Sequence, residues 1–202
     1  MLIGEVMTSP VVTVPRTATV RQAIRVLHEH DITAAPVIGP DGRMAGIVSE
    51  MDLLRGAFEA DPRAFLRPVA APGEPPPRHV EEVMTSRVRT ARPTSDAAGL
   101  AETMIRTGLK SVPVLDGDRL VGMVSRRDLL AVLARGDARI RDDVIAALRE
   151  HGAQDRWTVT VRDGDVELRG EADENARRLA GVLARTVPGA SRVTVRESAG
   201  RS

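Results

Sequence analysis

The chain states one pattern twice. Gly46-Ile47-Val48-Ser49-Glu50-Met51-Asp52 recurs as Gly122-Met123-Val124-Ser125-Arg126-Arg127-Asp128. Val6-Met7-Thr8-Ser9 returns as Val83-Met84-Thr85-Ser86, and Ala35-Pro36-Val37 as Val112-Pro113-Val114 at the same spacing. The spacing then shortens by one residue, where the turn Gly39-Pro40-Asp41-Gly42 is answered by the shorter Asp116-Gly117-Asp118. Internal duplication constrains the fold before any local motif does. Two short equivalent units bury too little surface singly, so they are expected to pack on each other and to enclose paired, related sites.

Each copy reads strand, helix, strand, strand, helix. In the first, the β-branched run Val11-Val12-Thr13-Val14 predicts a buried strand. Val20, Ala23, Ile24 and Leu27 follow at i, i+3, i+4 and i+7, one apolar face of a helix. Pro36-Val37-Ile38 and Met44-Ala45-Gly46-Ile47-Val48 flank the Gly-Pro-Asp-Gly turn as a hairpin. A second helix is expected after Ser49, carrying Leu53 and Leu54. In the second copy Ala97, Leu100 and Met104 take the places of Val20, Ala23 and Leu27. Leu109 replaces Ile32, and Leu120 to Val124 form the second hairpin strand.

Residues 61–79 hold Pro62, Pro68, Pro72 and Pro75-Pro76-Pro77. Prolines this dense neither sustain a helix nor supply ladder donors, which predicts an extended connector, with Phe58, Phe65 and Leu66 anchoring its start. After Gly136 the pattern changes. Ile140, Val144, Ala147 and Leu148 mark an amphipathic helix. Trp157-Thr158-Val159-Thr160-Val161 alternates as a half-buried strand, Asp163-Gly164 is a hairpin turn, and Val166-Glu167-Leu168-Arg169-Gly170 answers it. Ala176, Leu179, Ala180 and Leu183 give another helix, Pro188-Gly189 ends it, and Val193-Thr194-Val195 is the last strand. The expected class is α+β: β-α-β-β-α repeats at 1–60 and 80–135 packed as a pseudo-symmetric module, the connector at 61–79 between them, an α-β-β-α-β unit at 136–197 and a tail at 198–202.

Composition narrows the function. The 29 basic and 28 acidic residues nearly balance, without the excess of an electrostatic nucleic-acid binder, and aromatic stacking groups are almost absent. No nucleic-acid partner is expected. The absence of cysteine excludes disulfides, thiolate metal sites and cysteine nucleophiles. The first residues lack a basic region followed by an apolar run, and no stretch approaches the roughly 18 apolar residues of a membrane span, so a cytoplasmic protein is expected. No Gly-x-Ser-x-Gly, Walker-type loop or His-Glu-x-x-His occurs, so no catalysis is expected. His28 and His30 stand two apart and do not share a helix face, and no metal site is expected.

The Val-Met-Thr openings, Ala-Ala-Pro-Val with Ser-Val-Pro-Val, and the two Gly-x-x-Ser-x-x-Asp runs resemble a tandem pair of CBS domains, the regulatory module first described in cystathionine β-synthase. The resemblance covers residues 1 to about 133. Residues from about 137 to 197 resemble a BON domain, through the α-β-β-α-β order and the run Asp163-Gly164-Asp165-Val166-Glu167-Leu168-Arg169-Gly170.

The paired motif has a chemistry of its own. A strand delivers the chain to Gly46, whose missing Cβ would let a ligand approach the backbone. Ser49 stands at a helix start and Asp52 in its first turn, where unpaired N–H groups and a positive partial charge suit a phosphate. A carboxylate nearby can accept two hydrogen bonds from the cis-diol of a ribose. Ser-x-x-Asp is equally a capping box that needs no ligand, and the residues by themselves leave both readings open.

The CBS resemblance implies that Asp52 and Asp128 hold riboses, with Ser49 and Ser125 beside them, while Ala35-Pro36-Val37 and Val112-Pro113-Val114 border the bases. It implies a phosphate-contacting base at Lys110, just before Ser111-Val112-Pro113, and Arg126 and Arg127 add charge within the second motif. Thr33 and Glu50-Met51 hold the matching places in the first copy. The site around Asp128 is therefore expected to prefer charged phosphates, and Glu50 weakens the case for a polyphosphate in the first. The implied ligand is an adenine nucleotide such as AMP or ATP, or S-adenosylmethionine, with cyclic dinucleotides also open, and the implied assembly is a homodimer.

Phospholipid binding is implied by the BON resemblance, yet 12 arginines and 12 acidic residues between Gly136 and Ser202 leave only Arg177-Arg178 as a basic pair. Anionic lipid normally requires a basic cluster, so membrane contact is not favoured and a protein partner is expected. The expectation is a non-catalytic sensor that binds an adenosyl ligand in the cleft of the CBS pair and signals through the BON unit. The alternative is a ligand-free structural or envelope-associated protein whose BON unit binds phospholipid or protein.

Overall fold

Chain order and spatial grouping do not coincide in this protein. The computed structural model describes residues 1–55, 57, 63, 75–153 and 156–197. One unit gathers Met7–Pro93 with Thr107–Val124; the other gathers Met1–Val6, Thr94–Arg106 and the residues from Ser125 onward. The expected anchors Phe58, Phe65 and Leu66, the prolines at 62, 68 and 72, and the tail at 198–202 lie outside the described residues.

In the first unit β1 (Val14–Pro15), β2 (Ala34–Ile38) and β3 (Met44–Ser49) form a sheet in that order. β1 runs parallel to β2 at Val14–Val37, and β2 runs antiparallel to β3 from Ala34–Ser49 to Val37–Gly46. The strand expected at Val11–Val14 is reduced to Val14–Pro15. Pro15 has no N–H to donate, and the pairing continues only through Arg16 N–H to the Ile38 carbonyl at 2.9 Å. Between these strands lies α1 (Val20–Glu29), begun by a capping box in which Thr19 N–H reaches Gln22 Oε1 at 2.8 Å. Ala23 and Leu27 are buried on its inner face, while Ile24 is 40% exposed, so the apolar stripe is narrower than the spacing predicts. After β3 comes α2 (Glu50–Leu53), with Leu53 buried and Leu54 exposed. The second copy contributes α3 (Val80–Val83), β4 (Ser111–Asp116) and β5 (Arg119–Ser125), and a single parallel bridge between Ala91 and Val114 stands where β1 stands in the first.

The repeats exchange their openings. Thr85, in the second copy's Val-Met-Thr run, donates its N–H to the Ile47 carbonyl at 2.9 Å and accepts from Ile47 N–H at 3.0 Å. Reciprocally, Thr8 of the first copy donates to the Met123 carbonyl at 2.8 Å and accepts from Met123 N–H at 3.1 Å. Ile47 and Met123 each follow a glycine of the repeated motif. A Cβ on Gly46 would lie 2.7 Å from the Thr85 carbonyl oxygen and 3.1 Å from Met84 Sδ, and one on Gly122 would collide with the Met7 side chain. The missing side chain at Gly46 therefore admits the other copy's backbone; the ligand approach expected there is not what it serves. α3 follows the same exchange: Val80 and Val83 join the core formed by Val14, Ala23, Leu27, Val37 and Val48, and Val80 N–H donates to the Ala18 carbonyl at 2.9 Å. Glu82 closes α3 by accepting from His79 N–H at 3.0 Å, and that bond first of all holds its carboxyl below the ordinary glutamate range.

In the second unit the chain's first residues lie on the start of α4 (Ala97–Thr107): Ile3 N–H donates to the Ser95 carbonyl at 2.9 Å and Ala97 N–H to the Met1 carbonyl at 3.1 Å. α5 (Arg126–Leu133) leads to α6 (Asp137–Glu150), followed by β6 (Thr158–Arg162), β7 (Asp165–Gly170), α7 (Glu174–Thr186) and β8 (Arg192–Glu197). The sheet order is β6-β7-β8, with β6 and β7 antiparallel and β7 and β8 parallel. The hairpin closes at Arg162–Asp165 over Asp163 and Gly164, both at positive φ (49° and 78°), as an Asp-Gly turn requires. Asp137 holds that turn from a distance, accepting from both Asp163 and Gly164 N–H at 2.9 Å. Ile140, Val144 and Leu148 of α6 pack with Val166 and Leu168 of β7 and with Ala180 and Ala184 of α7. Trp157 is buried in this core just ahead of β6.

Gly46→Ala is expected to cost about 1–3 kcal/mol, because a backbone oxygen that cannot step aside meets the new methyl. Gly122→Ala should cost less, since the Met7 side chain can turn away. Gly99→Ala, on an open face of α4 with nothing within 4 Å, should stabilise by roughly 0.5–1 kcal/mol. Urea denaturation of the three variants checks both signs.

Candidate functional site

Ser49 and Ser125 are the N-caps of α2 and α5, and each closes a full capping box. In the first copy Asp52 Oδ2 accepts from Ser49 N–H at 2.9 Å and from Ser49 Oγ at 2.6 Å, while Asp52 N–H donates to Ser49 Oγ at 3.4 Å. The second copy repeats the arrangement with Asp128 Oδ2 at 2.6 Å from Ser125 N and 2.7 Å from Ser125 Oγ. Both aspartates are half-buried. The start of α2 is not an open anion site: Glu50 N–H donates to the Thr33 carbonyl at 3.0 Å, and Asp52 N–H is held by the serine. These bonds leave the start of α2 less to offer a phosphate, and side-chain cations add positive charge nearby.

Those cations border a cavity of about 260 Å³ in the first unit, near the lower end of ligand pockets, roughly 300 Å³ and upward. Its walls come from three stretches. Thr33, Ala34, Ile47, Ser49 and the start of α2 belong to the first copy. The chain after the exchanged Thr85 brings Arg87, Val88 and Arg89, and the turn into β4 brings Lys110 and Ser111. The turn is made at Gly108, whose φ of 72° suits a residue without a side chain.

Of the residues singled out from sequence, Thr33, Ser49, Lys110 and Ser111 meet at this cavity. Asp52 lies in the turn of α2 that Ser49 caps, but not on the cavity wall. Ala35, Pro36 and Val37 are buried in β2, as are Val112, Pro113 and Val114 in β4. Their side chains serve the interior, and at those strands the cavity is lined by the first residues, Ala34 and Ser111. Ser125, Arg126 and Asp128 belong to the second unit, and Lys110 shares the cavity with Ser49. Lys110, expected to serve Asp128, thus borders the first copy's motif, where the exchange at Thr85 also brings Arg87 and Arg89. Sequence reasoning missed Arg87 and Arg89. Their signal was present: two arginines directly after the repeated Val-Met-Thr-Ser, where the first copy has Pro10 and Val12.

Among the described residues no group of three or more His, Asp or Glu side chains could hold a metal ion, and no helix is long and apolar enough to cross a membrane.

Residues 3–59 and 80–135 match the CBS domain, and residues 136–196 match the BON domain. The fold is similar to that of the CBS domain pair of protein MJ0100 in complex with 5′-methylthioadenosine and S-adenosyl-L-methionine, at 23% identity and a TM-score of 0.53, over 65% of this chain and 94% of that one. It is similar to CBSX2 in complex with AMP at 23% identity and a TM-score of 0.52, over 64% of this chain and 93% of that one. In sequence the chain is similar to homoserine O-acetyltransferase of Methanohalobium evestigatum, 28% identical over 129 residues, covering 63% of this chain and 23% of that enzyme. Across three such curated relatives the chain spans 14% to 55% of their length.

Because both serines are N-caps, Ser49→Ala and Ser125→Ala should each lower stability by about 1 kcal/mol without any ligand present. Denaturation of the ligand-free protein measures this, and a loss near zero in both variants would remove the capping role.

Proposed function

The chain belongs to the CBS-domain family, as a tandem pair followed by a BON domain, and from that premise we propose that it is a non-catalytic sensor whose CBS pair binds an adenine nucleotide or related adenosyl compound. The observation that carries this reading is the cavity: Thr33 and Ser49 of one copy and Lys110 and Ser111 of the other converge on a single space. The compounds held by the CBS pairs of MJ0100 and CBSX2, methylthioadenosine, S-adenosylmethionine and AMP, share an adenosine. That shared part is the ligand class proposed here. The capping box is compatible with a second role for Asp52 and Asp128. In the first copy it engages one oxygen of the Asp52 carboxylate, and a carboxylate offers about four acceptor positions, enough to add the hydroxyls of a ribose.

Since both copies supply walls, a ligand shifts their packing only by its different affinity for the two arrangements. The proposed reporter of such a shift is the BON domain. α5, which Ser125 caps and which carries Asp128, belongs to the same unit as the BON helices and sheet. Arg135 beyond its end pairs with Asp143 of α6 at 3.3 Å, and a Cβ on Gly189 would lie 3.2 Å from the Val132 carbonyl oxygen. A protein partner suits this domain better than lipid. Its one basic pair is already engaged, Arg177 with Glu197 at 2.6 Å and Arg178 with Glu174 at 3.4 Å. Exposed leucines at equivalent positions of the two copies, Leu54 at 51% and Leu130 at 63%, support a homodimer. A cytoplasmic location accords with a ligand drawn from the nucleotide pool.

Thermal unfolding in the presence of AMP, ADP, ATP and S-adenosylmethionine tests the reading. A ligand at 100 times its dissociation constant should raise the melting temperature by about 5–10 °C. Asp52→Ala and Asp128→Ala should weaken binding by about 1.5–3 kcal/mol at the site each one serves. No shift with any adenosine compound would overturn the sensor reading; undiminished affinity in both variants would overturn the ribose role.

A further inference from the structure

Three cations and one acid border the cavity: Arg87 and Arg89 on the chain after Thr85, Lys110 before β4, and Glu50 at the start of α2. All four side chains are exposed, and none has an ion-pair partner among the described residues. Their distribution over the repeat is informative. What the fold needs recurs in both copies, as Gly46 with Gly122 and Thr8 with Thr85 do. Arg87 and Arg89 do not recur; Pro10 and Val12 hold their places in the first copy, and that copy builds its hairpin β2–β3 without them. Two unpaired guanidinium groups that the architecture does not require, on the wall of a cavity, call for a ligand with negative charge.

We propose that Arg87 and Arg89 are the specificity-determining residues of this cavity, and that they select a nucleoside polyphosphate by ranking ligands according to phosphate number. This rests on the nucleotide reading above. A guanidinium presents a planar fork that matches phosphate oxygens two at a time, and Lys110 adds a point charge that is less selective of geometry. Each further phosphate adds negative charge facing an excess of two positive charges once Glu50 is counted. S-adenosylmethionine carries a sulfonium and an ammonium against a single carboxylate, so its net positive charge is disfavoured by the same excess. Glu50 opposes selection, and its removal should sharpen it. Because the four groups are exposed, salt weakens the ranking.

Isothermal titration of the full chain with adenosine, AMP, ADP, ATP and S-adenosylmethionine, at physiological salt and without divalent cations, reads this directly. Affinity should rise from AMP to ATP by about 10-fold or more, with S-adenosylmethionine bound more weakly than AMP. In the Arg87→Gln/Arg89→Gln double variant ATP should fall to within about 2-fold of AMP while adenosine is unchanged, and Glu50→Gln should move ATP the other way. Arg162→Gln, a charge loss on β6 in the other unit, should leave the ranking intact. Equal binding of AMP and ATP by the unaltered protein, or a ranking preserved in the double variant, overturns the proposal while leaving the nucleotide reading standing. If neither adenosine nor any nucleotide binds, both fall together.

Discussion

Two pairs of main-chain hydrogen bonds organise this molecule, Thr85 with Ile47 and Thr8 with Met123. Each joins the opening of one repeat to the last hairpin strand of the other. The residue before each of Ile47 and Met123 is glycine; at Gly46 a side chain would meet the Thr85 backbone, and at Gly122 it would meet the Met7 side chain. The exchange also fixes the course of the chain after Thr85, which carries Arg87 and Arg89 to the cavity. A cavity built this way takes walls from both copies and all three of its cations from the second.

Local pattern made much of the architecture legible. The Asp163-Gly164 hairpin, the buried stripe Ile140-Val144-Leu148 and the caps at Ser49 and Ser125 all sit within a few residues of their signals, and the structure shows each of them. Strand extent was less legible at Val11–Val14, where β-branched composition argued for a strand but Pro15 leaves only two paired residues. The allocation of Lys110 was not legible at all. Nothing in periodicity states which copy's loop will face which copy's motif, so a repeat read as self-contained assigns its cations to itself. The recurring glycine was the available clue, since a position that must lack a Cβ marks the approach of another chain as readily as the approach of a ligand.

The Ser-x-x-Asp motif shows why capping and binding are hard to separate from sequence. A cap needs a hydroxyl and a carboxylate at this spacing, and so does a sugar-binding site. Here the cap is complete in both copies, which means the carboxylates are oriented before any ligand arrives. Such prior orientation lowers the entropy lost on binding, so the structural role and the proposed functional one reinforce each other. The copies differ in their cations, Arg87 and Arg89 standing where the first copy has Pro10 and Val12.

The exchange of openings bears on how such a chain can be inherited. Each repeat is contiguous in the sequence, yet its first segment completes its neighbour: Val80 and Val83 lie in the core of the first copy, and Ile3 lies against the start of α4 in the second. Recombination that moved a single repeat into another gene would carry away one partner's strand and leave the other's unpaired. The pair is therefore the smallest piece that can change hosts intact.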